Sequence, residues 1–495
     1  MTGSHENGWP CWLTTWDHLG SHYPYHREGQ DRFHMNIEGA LDGMPEDQRR
    51  IDPVAVVEML ITHYCWGDRT LVCGVKRSPW MSRPDGQGGW KRTDIPRHGS
   101  AKPSFDEAAA RLKGALRQEA LGYLADRRSA GILLSGGLDS RIVAGTVREL
   151  QLSGEYAGNV VALTWGLEGS RDVAYAKDIA RRYGWEWVHF PLGAQVLAEN
   201  IEVAGTMGAE FSPLHLHALP HIRNLDGVDV ILAGSYGDGV GRAEFSGRRI
   251  GRLKPFVPWT LNRFGLIQDA IVRTSRAQAL QDAYGYRRHI LRNSASQYRE
   301  LELEMHYMRR MLQACMTHVA ERVPLFQLFT APETFSLMWD LDPAIRDDGT
   351  YKALLPTLPG GVGSLPWART GQPLGAMQVP EDRGTKLYHA YGRWLRRDLC
   401  ATITRLVASD TIKGLNLFNE RALDRFVKLW PKADTLTSNC IDETVSWMAS
   451  LAVFIERYNV RPVDPTPGNW HDTVNALFKV GRAWTYRAVR ERFRE

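Results

Sequence analysis

One short segment of the chain combines residue types suited to binding phosphate groups. It consists of Ser135, Gly136, Gly137, Leu138, Asp139 and Ser140. An apolar run at 132–134 precedes it, and an apolar, helix-like segment at 142–150 follows. Glycines allow a sharp turn, and unpaired N–H groups at the start of a helix attract anions. Serine hydroxyls add donors and Asp139 can hold Mg²⁺ against phosphates, so we predict a bound nucleotide with Mg²⁺, with an ordinary strand-to-helix turn as the alternative.

A second glycine-rich turn follows the apolar strand predicted at 228–233. Its residues are Gly234, Ser235, Tyr236, Gly237, Asp238 and Gly239. In a doubly wound sheet, ligands collect where the strands end. We therefore predict that Asp238 provides a second contact to Mg²⁺, and that Gly234 and Gly237 line the nucleotide site. A turn with no chemical role is the alternative.

A third candidate segment follows the strand predicted at 159–164. The sequence 165–172 is rich in glycine and ends with Ser170, Arg171 and Asp172, just before a predicted helix at 173–183. Ser170 and Asp172 are placed to contact a nucleotide. They are equally suited to capping that helix.

The elements around these segments alternate between strand and helix. This alternation predicts an α/β fold with a doubly wound, mostly parallel sheet. A capping box beginning at Ser104 marks the entry helix, so we predict a domain boundary there, with one domain at 1–103 and a nucleotide-binding domain at 104–390. A helical region is expected at 391–495.

Composition limits the classes of protein that fit. A chain of 495 residues is too long for one hydrophobic core, and a net charge of +5 without basic clusters gives no reason to expect nucleic acid as a partner. No run of 18 apolar residues occurs, and the first residues do not resemble a signal peptide. The six cysteines are widely spread without a CxxC pair, which indicates reduced thiols. We expect a cytoplasmic protein without a transmembrane segment.

The hexapeptide Ser135–Ser140 resembles the signature of the PP-loop ATP pyrophosphatases. The SGGLDS form is most similar to the synthetase domain of asparagine synthetases, β-lactam synthetases and lasso-peptide cyclases. Shorter similarities, such as those at 321–326 and 351–356, extend the resemblance over residues 50 to 375. The resemblance implies a fold of the adenine nucleotide alpha hydrolase type.

The resemblance also implies roles for several residues. Asp238 matches a metal-binding aspartate of the family, whereas Ser235 stands where relatives carry a glutamate, tyrosine or histidine that handles the amine. Serine is a poor general base, so Tyr236 or Glu244 is a candidate substitute. Arg369 matches a catalytic lysine, and Lys386 is a second candidate for that positive charge. A solvated loop charge is the alternative for both.

The start of the chain departs from the glutamine-hydrolysing relatives. These relatives carry a nucleophilic cysteine directly after the initiator methionine, where this chain has Thr2. Only 134 residues precede the predicted phosphate loop. The resemblance therefore implies that residues 1–103 form a shortened, glutaminase-like α+β domain without glutaminase activity.

By resemblance, the chain is predicted to be an ATP-dependent ligase that adenylates a carboxylate and transfers it to ammonia or an amine. Its substrates would be small molecules or peptides, and it would act as a homodimer or with a biosynthetic partner protein. Two alternatives remain open: a non-catalytic scaffold in a biosynthetic complex, and a PP-loop enzyme that transfers sulfur.

Overall fold

The computed structural model describes residues 23–492 apart from 31, 86–88, 93, 243–253, 259, 375–384, 433–434 and 467–468. Within these residues the strands are β1 (Tyr25–Arg27), β2 (Phe33–His34), β3 (Val75–Arg77), β4 (Ser82–Pro84), β5 (Trp90–Arg92), β6 (Ser129–Leu133), β7 (Asn159–Gly166), β8 (Glu186–Pro191), β9 (Val230–Ala233) and β10 (Leu325–Gln327). Thr2 and Glu244, which the sequence analysis considered, lie outside the described residues.

The central element is a five-stranded sheet in the order β10-β9-β6-β7-β8, and every neighbouring pair is parallel. Strand β6 lies in the middle, and later strands are added on both of its sides. Strands β6 and β9 pair through Ala130 with Val230 and Ile132 with Leu232. The segments that follow these two strands therefore leave the same edge of the sheet side by side. This arrangement confirms the predicted α/β fold with a doubly wound parallel sheet.

The helices of the described residues surround this sheet and form the C-terminal part. They are α1 (Ile37–Leu41), α2 (Pro53–Thr62), α3 (Phe105–Leu124), α4 (Leu138–Leu152), α5 (Arg171–Tyr183), α6 (Ala194–Thr206), α7 (Leu219–Arg223), α8 (Gly237–Gly241), α9 (Asp269–Tyr284), α10 (Ala295–Glu302), α11 (Ala314–Ala320), α12 (Pro332–Asp340), α13 (Asp348–Leu354), α14 (Tyr391–Arg393), α15 (Cys400–Val407), α16 (Asp410–Lys413), α17 (Glu420–Leu429), α18 (Cys440–Tyr458) and α19 (Trp470–Arg492).

Local sequence signals account for several of these boundaries. Ser104 caps α3 by accepting a hydrogen bond from Glu107 N at 3.2 Å. Asp52 caps α2, and Pro53 occupies the first helical position, where proline is favoured. The segment Leu303–Gln313 is a π-helix that joins α10 directly to α11. Its Met308 would meet a Cβ added at Gly239 in α8.

The hydrophobic cores cross the predicted boundaries at 103 and 390. One core combines α1, α2 and β3 with helices of the C-terminal part, including Trp447 and Phe454 of α18. Another combines Trp80 and Met81 with one face of the central sheet, including Ile132 and Leu232. The division of the chain at these two positions stays a prediction, since the flanking segments share packed side chains.

Three further findings concern the described residues only. None of their helices is long and apolar enough to cross a membrane. Five cysteines in this part, Cys65, Cys73, Cys315, Cys400 and Cys440, are free thiols. No group of three or more His, Cys, Asp or Glu side chains in these ranges is arranged to hold a metal ion.

Candidate functional site

The predicted phosphate loop, Ser135–Ser140, connects β6 to α4. Hydrogen bonds made by its two serines hold its conformation. The Oγ atoms of Ser135 and Ser140 lie 3.0 Å apart, and Gly137 N donates to Ser135 Oγ at 3.1 Å. Helix α4 begins at Leu138 without a side-chain cap. The first turn of a 15-residue helix thus keeps backbone N–H groups available to an anion.

Asp139, in the first turn of α4, is held by two donors from other segments. Tyr351 OH donates to its Oδ1 at 2.7 Å, and Arg242 Nη2 lies 3.2 Å from its Oδ2. Arg242 Nη1 also binds Asp348 at 2.9 Å. The Arg242 side chain is only 5% exposed, so this cation is built into the site.

The turn 234–238 packs directly against Asp139. A Cβ atom at Gly234 would lie 2.7 Å from the carbonyl oxygen of Asp139, and one at Gly237 would overlap its carboxylate. Glycine is therefore required at both positions by the close approach of the two segments. The structure brings together the two turns that the sequence analysis identified separately.

Burial and neighbouring carboxylates shift the pKa of the Tyr351 hydroxyl. Burial raises the pKa of its hydroxyl well above the ordinary value, the Asp139 carboxylate raises it further, and Asp238 adds a smaller contribution. Asp238 is itself exposed. Asp238 directly follows Gly237, in the turn that packs against Asp139.

The charge of Arg242 is stabilised by the same group of side chains. Burial disfavours the charged guanidinium, but Asp139, Tyr351 and Asp348 outweigh that effect and hold the pKa of Arg242 above its ordinary range. The ring of Tyr351 also lies under the guanidinium, 4.7 Å from Cζ to the ring centre. Arg242 therefore remains a cation beside Asp139.

Ser235 and Tyr236 are adjacent in the sequence but differ in their exposure to solvent. Ser235 is exposed at the end of β9, and its backbone N–H donates to Gln327 Oε1 at 3.2 Å. Tyr236 is fully buried, and its hydroxyl donates to Gln313 Oε1 at 3.0 Å. The structure therefore places Ser235 on the open face of the site and Tyr236 in the core beneath it.

The third segment contacts the phosphate loop through Asp172. Its carboxylate accepts the N–H of Gly136, and burial raises the pKa of Asp172 to about 6 even though that hydrogen bond works in the opposite direction. Ser170 is fully buried and caps α5 by accepting a hydrogen bond from Val173 N at 3.4 Å. Of the two residues, Asp172 touches the loop and Ser170 serves as the cap.

Arg141 ties the phosphate loop to the loop that carries Arg369. Its fully buried guanidinium donates to the carbonyl oxygens of Val362, Leu365, Pro366 and Gly136. Ala368 N donates to Gly136 O at 3.1 Å as well. Burial among these neutral acceptors lowers the pKa of Arg141 to about 10. Arg369 is exposed, and its guanidinium lies 5.6 Å from the ring of Trp367.

Lys386 lies beside the third segment. Thr385 O accepts the N–H of Arg171 at 2.9 Å, and Tyr388 O accepts the N–H of Leu167 at 2.8 Å. Lys386 is exposed between these two attachments. Arg369 and Lys386 therefore belong to segments fixed to different parts of the loop region, Arg369 at Gly136 and Lys386 near Arg171.

Sequence reasoning assigned no role to Arg141, Arg242, Asp348 or Tyr351. Arg141 directly follows the hexapeptide, so its position was a usable signal. Arg242 and Tyr351 reach Asp139 from 103 and 212 residues away, and nothing local marks them as its partners.

The fold and the site together define a class of protein. It is an α/β protein with a glycine-rich strand-to-helix loop at the C-terminal edge of a parallel sheet, and an aspartate-containing turn from the neighbouring strand packs against that loop. More specifically, residues 111–329 match the sequence profile of the asparagine synthase family and form an asparagine synthase domain. This match confirms the resemblance drawn from the SGGLDS hexapeptide.

No curated protein sequence matches the chain. Among solved structures, the U34-tRNA thiolase NcsA from Methanococcus maripaludis, determined with its [4Fe-4S] cluster, is 14% identical; the match covers 44% of this chain and 85% of that one, with a TM-score of 0.24. At that score the similarity is too slight to bear on function.

Proposed function

We propose that this protein is an ATP-dependent carbon–nitrogen ligase that activates a carboxylate as an acyl-adenylate and transfers the acyl group to ammonia or an amine. AMP and pyrophosphate are the other products. The observation that carries the proposal is the packing of Gly234 and Gly237 against Asp139, within an asparagine synthase domain. A phosphate-binding helix start and two carboxylate-bearing turns then share one edge of the sheet.

The residues present are suited to Mg²⁺, which prefers carboxylate oxygens and keeps several waters. Asp139 and Asp238 would hold the ion against the phosphates of ATP. Each oxygen of Asp139 already accepts one hydrogen bond, from Tyr351 or Arg242, and retains a further lone pair. When bound, Mg²⁺ would neutralise phosphate charge and orient the leaving pyrophosphate.

The chain's own groups perform the rest of the proposed reaction by positioning and charge. The first turn of α4 and the serine hydroxyls of the loop bind the phosphates, and Arg369 or Lys386 stabilises the departing pyrophosphate. Adenylation converts the carboxylate into an acyl-adenylate, in which AMP is the leaving group. Holding the acyl-adenylate close to the amine then supplies much of the rate, without a protein nucleophile.

Amine activation differs from that of relatives with a glutamate at this turn. Ser235 is the exposed residue there, whereas Tyr236 is buried with its hydroxyl bonded to Gln313. A serine hydroxyl is able to orient an amine by hydrogen bonding, but it does not remove its proton at neutral pH. We therefore propose that the amine enters in its neutral form, with Ser235 in an orienting role.

Exchange of labelled pyrophosphate into ATP tests the proposal directly. The intact chain is expected to catalyse exchange when a suitable acid is present in a panel of amino acids, other small acids and peptides. Asp139→Asn and Asp238→Asn should each lower the exchange rate by about 100-fold or more, as expected for loss of a charge that stabilises the transferred group. A Glu155→Gln variant, which removes a carboxylate paired with Arg117, is the control.

A second function is favoured by one feature of the site. Because Arg242 and Tyr351 each bind one oxygen of Asp139, Arg242 already balances the charge of that carboxylate, and a scaffold that binds no nucleotide is the second candidate function. Calorimetric titration with Mg·ATP separates the two functions. Absence of both ATP binding and exchange would leave only the scaffold, whereas binding with exchange would establish the ligase.

A further inference from the structure

Helix α19 packs against the rest of the protein along one face. Ala476 and Val480 on that face are buried, and they belong to the core that also contains the apolar side chains of α17. A Cβ atom at Gly265 would lie 2.8 Å from Ala476 O, and Asn419 Nδ2 donates to Thr473 Oγ1 at 3.2 Å. These contacts fix the orientation of the helix, so its opposite face points to solvent.

The opposite face of α19 carries a row of exposed large side chains at four-residue intervals. We call this row the α19 ridge; it consists of Trp470, Val474, Phe478, Arg482 and Tyr486. Residues four apart are neighbours on a helix surface, so the five side chains form one line. Trp470, Phe478 and Tyr486 are 68%, 66% and 64% exposed. Side chains with this exposure project from the surface and do not line a groove.

Exposed apolar side chains concentrate on this helix. Of the nine large apolar side chains that the described residues expose, five lie on α19: those of the ridge and Val489, which follows Tyr486 by about one turn. Scattered apolar side chains are normal on a protein surface, whereas a contiguous group marks an interaction surface. The α19 ridge is therefore suited to contact with an apolar phase or partner.

The charges around the α19 ridge are mainly basic. Arg482 is the one charged residue within the ridge. Beside it, Arg425 Nη2 of α17 lies 3.1 Å from the position of a Cβ atom at Gly481. Further charged side chains that the structure describes on these two helices, outside ion pairs, are Arg421, Lys428 and Arg487 on the basic side and Glu420 and Asp472 on the acidic side.

Two carboxylates close to the ridge are paired with lysines. Asp269 lies 3.6 Å from Lys479 of α19, and Asp424 of α17 lies 2.9 Å from Lys413. Each pair cancels its own charge and leaves the balance on this surface unchanged. The exposed surface around the ridge thus has an excess of positive charge next to its apolar side chains.

We propose that the α19 ridge docks on the surface of a lipid bilayer that contains anionic phospholipids, with the helix lying in the membrane plane. Tryptophan and tyrosine suit the headgroup region, because each combines an apolar ring with a polar group. Phe478 and Val474 would enter the acyl boundary, while the guanidinium of Arg482 stays at the lipid phosphates. The basic surroundings of the ridge complement the negative charge of such a surface. The proposal concerns a second surface and stands independently of the ligase activity.

A second copy of this chain fits the α19 ridge less well than a bilayer does. In a symmetric dimer the same patch faces itself, so the excess positive charge of both copies would meet. A groove on another protein must match the positions of the projecting rings of Trp470 and Phe478. Fluid lipid accepts these side chains without a preformed pocket.

Flotation with lipid vesicles tests the proposal. The full-length protein is mixed with vesicles of phosphatidylglycerol and phosphatidylcholine in equal parts, or of phosphatidylcholine alone, and the bound fraction is measured after centrifugation. We expect binding to the anionic vesicles to be about tenfold stronger and to weaken with salt. Phe478→Ser should weaken it by about tenfold and Arg482→Glu by about fivefold or more. Leu152→Ser changes a side chain of α4 that is 63% exposed; this control should bind like wild type.

Three results would overturn the proposal: no flotation with anionic vesicles, equal binding to neutral and anionic vesicles, or undiminished binding in both ridge variants. A dimer that Phe478→Ser dissociates in size-exclusion chromatography, without any vesicle binding, would assign the ridge to a second copy instead. Thermal denaturation verifies the folding of the variants, and Trp470→Ser provides the test of the apolar contact if Phe478→Ser does not fold. ATP binding, measured alongside, separates this proposal from the ligase: loss of vesicle binding with ATP binding retained concerns the ridge alone.

Discussion

Arg242 Nη2 lies 3.2 Å from Asp139 Oδ2, although the two residues are 103 positions apart in the chain. The contact places a protein cation on the carboxylate that we assign to Mg²⁺. Arg242 thereby neutralises Asp139. Mg²⁺ and Arg242 would then share the carboxylate, or the arginine would turn towards Asp348.

Replacing Arg242 should therefore destabilise the nucleotide-free protein more than the protein bound to Mg·ATP. We expect Arg242→Gln to lower the free energy of unfolding by about 1–3 kcal/mol, because it leaves a partly buried carboxylate without its ionic partner. Denaturant titration with and without Mg·ATP measures the difference. Asp348→Asn, which removes the more exposed partner of Arg242, is the control and should have a smaller effect. An equal loss with and without Mg·ATP would contradict a role for Arg242 as the resident cation.

Arg141 is expected to govern the position of the loop that carries Arg369. Arg141→Lys keeps the charge but cannot reproduce the four hydrogen bonds that the guanidinium makes to carbonyl groups. We expect exchange activity to fall by about 10–100-fold, as when a positioning group is displaced. Steady-state exchange assays measure this change. Arg148→Lys, on the same helix, is the matched control, and an unchanged rate in Arg141→Lys would show that the loop holds its place without the tether.

Arg369 and Lys386 should contribute unequally to catalysis. Arg369 is attached through Ala368 N to Gly136 O, within the phosphate loop, whereas Lys386 is attached near Arg171. Arg369→Ala is expected to lower kcat by about 100-fold with a smaller effect on KM, because its charge acts on the departing pyrophosphate. Lys386→Ala is expected to cost tenfold or less. The opposite order in kinetic assays would assign the charge to Lys386.

Asp172 should introduce a pH dependence of stability. Its pKa is raised from 3.8 to about 6 in the folded protein by burial. Below about pH 4 the Asp172 carboxyl is protonated in both the folded and the unfolded protein, so it does not lower the free energy of unfolding. As the pH rises from 4 to 6, ionisation of Asp172 favours the unfolded protein, and the free energy of unfolding reaches its full loss above pH 6. Wild type should therefore lose stability relative to Asp172→Asn across this window, as measured by thermal denaturation at a series of pH values. A constant difference from pH 4 to 7 would contradict the raised pKa.

Ser170 should act on stability rather than on nucleotide affinity. Ser170→Ala removes the hydroxyl that accepts the N–H of Val173, and we expect a loss of about 1 kcal/mol. Ser104→Ala, which removes the equivalent cap of α3, should cost a similar amount. Both variants should bind ATP with wild-type affinity in calorimetric titrations. A tenfold weaker affinity in Ser170→Ala alone would instead show that Ser170 contacts the nucleotide.

The sequence by itself determined the parts of this protein that depend on neighbouring residues. Apolar runs ending in glycine-rich turns predicted strands β6, β7 and β9 and the parallel sheet, because alternation of strand and helix allows few other arrangements. The cap at Ser104 follows from a hydrogen bond that spans three residues. The match of residues 111–329 to the asparagine synthase family rests on the same local sequence.

Only the tertiary structure decided which side chains surround Asp139. Arg242 and Tyr351 reach it through contacts between segments far apart in the chain, and their own neighbours give no indication of that position. The same holds for Tyr236, which faces the core while the adjacent Ser235 is exposed. It also holds for the cores that join the first hundred residues to the last hundred. Burial and long-range pairing are properties of packed elements, so no local pattern of residue types specifies them.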